Sequence, residues 1–81
     1  MASEEGPRRM PSMSSIDACR RHFSLSGRRN PPPEAVERCA LIIEDVGTRM
    51  TYSEAVEELK KLGMGQDEAH RLVKLASRRL V

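Results

Sequence analysis

Between Thr51 and Val81 two apolar stripes recur at helical spacing, separated by Leu62-Gly63-Met64-Gly65. This stretch constrains the fold more than any other, because a short glycine break between amphipathic helices folds one back on the next. Thr51-Tyr52-Ser53-Glu54 has the form of a capping box, in which the Thr51 hydroxyl serves the Glu54 amide and the Glu54 carboxylate serves the Thr51 amide. Behind it, Tyr52, Val56, Leu59 and Leu62 share one helical face. Gly63 marks the stop, since glycine takes the left-handed cap conformation without a Cβ clash. Gln66, Asp67 and Glu68 then open a second helix with acids at its positive end. Met64 and Ala69 are spaced to staple that helix start, and Ala69, Leu72, Val73, Ala76 and Leu80 continue its stripe. Helices of about 52–62 and 66–80 are expected.

The run from Glu54 to Ala69, with its Leu62-Gly63-Met64 loop and acid-Ala opening of the second helix, resembles the first two helices of ubiquitin-associated domains. It is also similar to the related C-terminal helical domain of the bacterial Holliday-junction branch-migration complex. The resemblance implies a loop that contacts ubiquitin or another protein, through Leu62, Gly63 and Met64. Met64 stands where that family usually has a loop aromatic, and no third helix follows the pair before Val81.

Upstream, Pro31-Pro32-Pro33 stiffens the chain and suits the start of a helix, since the first helical position needs no amide donor. Val36, Cys39, Ala40, Ile43 and Val46 follow at helical spacing, widened by Leu41 and Ile42, and Gly47 ends the run. This predicts a helix over about 33–46. Residues 1–13 offer no apolar period, so they read as a disordered tail, and 24–30 as a mobile link. A short helix over about 15–24, capped by Ser14 or Ser15, would bring Ile16, Cys19 and Phe23 to one face, but needs docking to persist. The expected architecture is all-α: a compact three-helix bundle in residues 33–81, preceded by a flexible basic arm in residues 1–32.

Composition supports helices over sheet, because the 81 residues contain one Tyr, one Phe and no Trp. A domain this small buries about 60% of its unfolded surface, so a partner or self-association is a natural supplement. The net charge of +2 is unevenly spread. Residues 1–33 hold six arginines against three acids, and residues 34–81 hold eight bases against nine acids. The basic character therefore belongs to the arm. Two cysteines lack the density of a disulfide scaffold, and the longest apolar run, Cys39 to Ile43, is far too short to span a bilayer. With no apolar run after Met1, the reading is a soluble cytoplasmic protein that does not enter membranes.

No set of residues suggests catalysis, a cofactor or a metal. Cys19, His22, Cys39 and His70 have the ligand count of a zinc site, but their spacing lacks two tight ligand pairs, so free buried cysteines and exposed histidines are the simpler reading. Asp67-Glu68-Ala69-His70 spells a helicase signature without the Gly-rich phosphate loop that chemistry needs. The expected function is a non-enzymatic interaction module, docking a larger protein or a second copy of itself through Leu62, Gly63, Met64 and Leu80, with Leu41 and Ile42 beside them. The alternative is a small DNA-binding regulator. It would present His70, Arg71, Lys74 and Arg78 from the last helix and Arg20, Arg21, Arg28 and Arg29 from the arm. Asp67 and Glu68 oppose that alternative, because they stand where a recognition helix meets DNA.

Overall fold

The computed structural model describes residues 10–27 and 30–79, and in them every regular element is helical. The order is α1 (Met13–Leu25), α2 (Pro33–Asp45), α3 (Tyr52–Lys61) and α4 (Gln66–Arg79). The three expected helices of the bundle are present within a residue of their expected ends. The arm is corrected. Its short helix is a full fourth member of the bundle, with Cys19 and Phe23 completely buried in the same cluster as Val36, Leu59 and Leu72.

The start of α1 explains why. Ser12, not Ser14 or Ser15, is its N-cap and accepts from the Ser15 amide at 3.3 Å. Glu44 near the end of α2 accepts from the Ser12 amide and the Ser15 hydroxyl, both at 2.8 Å. A carboxylate thus sits at the positive end of α1, where the helix dipole favours it. Pro11, which is buried, the cap Ser12 and the helical Met13 therefore belong to the folded unit, while residues 1–9 of the expected disordered tail lie outside the described residues.

Cys19 and Cys39 form a disulfide between α1 and α2, with their Cα atoms 6.1 Å apart. This corrects the reading of both as free thiols. With Ser15 meeting Glu44 and Cys19 meeting Cys39, α1 and α2 run antiparallel. Pro33 opens α2 at its first position, and Gly47, at φ +89°, turns the chain after Val46.

The capping box of α3 is formed: Thr51 accepts from the Glu54 amide at 3.2 Å, and Glu54 accepts from the Thr51 amide at 3.0 Å. The Thr51 backbone and side chain hold the Glu54 carboxyl below its usual range. The support from this pair is therefore present above the ordinary carboxylate pKa and fades as pH falls through the lower folded value. Thr51→Ala is expected to cost about 1 kcal/mol in thermal melts, and to reduce that acid limb only in part, because alanine keeps the backbone amide that does most to lower the Glu54 carboxyl.

Helix α3 ends in a Schellman motif. The Met64 amide donates to the Leu59 carbonyl at 3.2 Å and the Gly63 amide to Lys60 at 3.0 Å, with Gly63 at φ +106°. That motif brings the residue after the glycine onto the last turn of the helix, and Met64 and Leu59 are both buried. Ala69, the other residue of the expected staple, is fully buried in the same core cluster as Met64. Tyr52 closes the hairpin by donating its hydroxyl to the His70 carbonyl at 3.2 Å.

Candidate protein-docking site

The structure separates the residues expected to form a contact surface. Met64 is 3% exposed and belongs to the core, so it has no face to offer a partner. The Schellman geometry is the reason, since it points the residue after Gly63 inward. Replacing it with aspartate is expected to cost about 2–3 kcal/mol, read as a fall in urea midpoint, because a carboxylate would be buried without a partner. Gly63 is exposed and Leu62 half-buried at the loop, while Ile42 is buried and Leu41 half-buried on α2. Leu80 lies outside the described residues.

The largest gap between expectation and structure lies where α1 meets α4. His22, expected on the surface, is buried, and its Nδ1 stands 2.9 Å from Glu68 Oε1. A carboxylate only accepts, so Nδ1 carries the hydrogen. Glu68 also stands 3.6 Å from the Arg71 guanidinium. In a capping box Glu68 would turn back to the Gly65 amide, which opens α4. Here it has turned to His22 instead, and the Gly65 amide donates to the Ser26 hydroxyl at 3.0 Å. Ser26 in turn donates to the His22 carbonyl at 3.0 Å. The end of α1 thus caps the start of α4.

From that junction the two helices run antiparallel, and a cleft of about 350 Å³ opens at the far end. Its walls are Ala18, Ile43, Leu72, Leu75 and Ala76, and its polar end is Ser12, Ser14, Ser15 and Glu44. Leu75 is 47% exposed on the lip. On α1, Ala18, Arg21 and Leu25 follow at spacings of three and four, so Arg21 and the 62%-exposed Leu25 stand on the Ala18 side. On α4, Arg71 and Arg78 lie one turn either side of Leu75 and are exposed. The cleft is apolar along its walls, carries Glu44 and three serines at one end, and has arginines on the flanks of both helices beside it.

A second surface follows the outer sides of α2 and α3. A shallow groove of about 500 Å³ holds Leu41, Ile42 and Met50 among Glu34, Glu37, Asp45 and two arginines. At Arg49 and Met50 it meets a smaller depression bordered by Glu54, Glu57 and Glu58. Glu57 and Glu58 pair with Lys60 and Lys61 at 3.5 and 3.6 Å.

No family model, curated protein or solved structure matches this chain.

Of the residues expected to face nucleic acid, Arg20, Arg21, His70, Arg71, Lys74 and Arg78 are exposed, whereas Arg28 and Arg29 lie outside the described residues. Those six do not form one uninterrupted basic strip. Arg20 stands on the opposite flank of α1 from Arg21, and exposed Asp17 and Asp67 lie on the same two helices. The zinc set is dispersed, with the thiols joined in a disulfide, His22 held by Glu68, and His70 beside Tyr52. Among the described residues no helix is long and apolar enough to cross a membrane.

Proposed function

We propose that this chain is a non-enzymatic helical docking module, and that its α1–α4 cleft takes an amphipathic helix carrying aliphatic and acidic side chains. The observation that supports this reading most is Leu75, a large aliphatic group held half in solvent on the lip of an apolar cleft. Helical binders use such a stripe with charge at the rim, where it steers encounter and sets orientation. Arg21, Arg71 and Arg78 supply that rim, which selects for an acidic partner. The loop contact suggested by the likeness to ubiquitin-associated domains loses its central residue, because Met64 is in the core. Reading the Cys19–Cys39 bond as a structural disulfide supports an oxidising compartment in place of the cytoplasm.

The test is an amide-shift titration of the full chain with a synthetic helical peptide of leucine and glutamate at i, i+3, i+4 spacing. Shifts are expected at Ala18, Arg21, Leu72 and Leu75. Leu75→Asp is expected to weaken binding about tenfold, or ~1.4 kcal/mol, with a melting temperature close to that of the unmodified chain. A peptide that moves no cleft amide at millimolar concentration overturns the reading. Duplex DNA moving the Arg71, Lys74 and Arg78 amides instead, with a steep salt dependence, would transfer the function to the nucleic-acid alternative.

A further inference from the structure

We infer that the occupant of the α1–α4 cleft is a second copy of this chain, which presents its α2–α3 face. The inference rests on the docking reading above and names the partner for that site. Two independent features of the surface carry it. Beyond its polar end, where Glu44 is held by Ser12 and Ser15, the cleft is apolar, and helical spacing puts Arg21, Arg71 and Arg78 along its rim, so its complement there is an aliphatic strip flanked by acids. The α2–α3 groove has that composition. Half-buried Leu41 and Met50 form its accessible apolar part, with Ile42 buried, and the lining of the groove and its adjoining depression has six carboxylates against two guanidiniums. Lys60 and Lys61 pair with two of those carboxylates, Glu57 and Glu58, and counting both still leaves this surface acidic, with six carboxylates against four bases.

The same balance appears in the charge of the whole molecule. In a chain with a net charge of only +2, α2, α3 and the turn between them hold seven acids against four bases, whereas α1 and α4 hold three acids against five exposed bases. Two such molecules attract in one relative orientation and repel when like faces meet, which favours a defined contact over random clustering. Because the two faces differ, the contact is head-to-tail. A head-to-tail contact does not saturate at two copies; it closes into a ring or continues as a chain of subunits. The attraction between exposed charges is also screened by salt over about 8–10 Å.

The experiment is sedimentation of the full chain from about ten micromolar to one millimolar at low salt, with amide spectra recorded over the same dilution series. Mass is expected to climb past the dimer with concentration and to fall back on adding about 0.5 M salt. Dilution is expected to move two patches together, Leu72 and Leu75 on one and Leu41 and Met50 on the other. Glu34→Lys with Glu37→Lys is expected to remain monomeric, as is Arg71→Glu with Arg78→Glu, and mixing the two variants is expected to restore association. If the α2 variant proves too unstable, the wild-type dilution series alone decides the matter through the paired patches. Persistent association of the Arg71→Glu, Arg78→Glu variant at wild-type strength overturns the inference. So does a chain that stays monomeric to one millimolar at low salt. In that last case, shifts with the acidic peptide would show that the cleft binds another protein and that only the self-partner is wrong.

Discussion

Phe23→Ala is expected to remove most of the stability of this protein, about 3–5 kcal/mol in urea denaturation. Phe23 is the sole phenylalanine and is fully buried, in a core cluster to which all four helices contribute. Truncation leaves a cavity between α1 and the rest of the bundle, and a domain this small has few other large side chains with which to fill it. Single domains have about 5–15 kcal/mol in total, so the variant is expected to be partly unfolded near body temperature. If α1 were only a loosely attached arm, the urea midpoint would be unchanged.

Loss of the Cys19–Cys39 bond is expected to be nearly as damaging. The bond closes a loop with a sequence separation of 20, and in the chain-entropy model that restricts the unfolded ensemble by about 3 kcal/mol. For a domain of this size each kcal/mol moves the melting temperature by roughly 4–8 °C, so a fall of about 12–24 °C follows. Calorimetry on Cys19→Ala with Cys39→Ala is the direct check. Alanine avoids placing two hydroxyls in a fully buried site. A variant that melts within about 3 °C of the parent would show that the two thiols contribute packing and little constraint.

The parts of this fold that were legible in the sequence are those set by neighbours along the chain. Thr51 and Glu54 are three residues apart, and Gly63 acts on the turn just before it, so the boundaries of α3 follow from local chemistry. Pro33 fixes the start of α2 in the same way. The expected short helix over about 15–24 was read as part of an arm, and its place in the bundle was missed for a different reason. Ile16, Cys19 and Phe23 showed the face of α1, but its length gave no reason for it to persist alone. What secures it lies far along the chain, in Glu44 at Ser12 and Ser15 and in Glu68 at His22. Those partners are 29 to 46 residues away and leave no periodic mark. The site was obscured for the same reason. Leu75 falls outside the stripe of Leu72, Val73 and Ala76, and its role as a lip is visible only once α1 is laid alongside. Met64 misled because a flexible residue after a glycine reads equally well as a surface contact or a staple.

The antiparallel arrangement of α1 and α4 has a practical result for anyone handling the protein. Ser12 and Ser14 share the cleft with Leu75 and Ala76, so the first described helix begins where the last one finishes. A tag or fusion attached just before α1 or just after α4 is delivered to the mouth of the same cleft, where a flexible basic or acidic extension would compete with any ligand. The remedy lies in the same adjacency. Joining those two ends with a short linker and reopening the chain at the exposed Gly47 turn would move both new termini to the link between α2 and α3, leaving the cleft clear for an attached label.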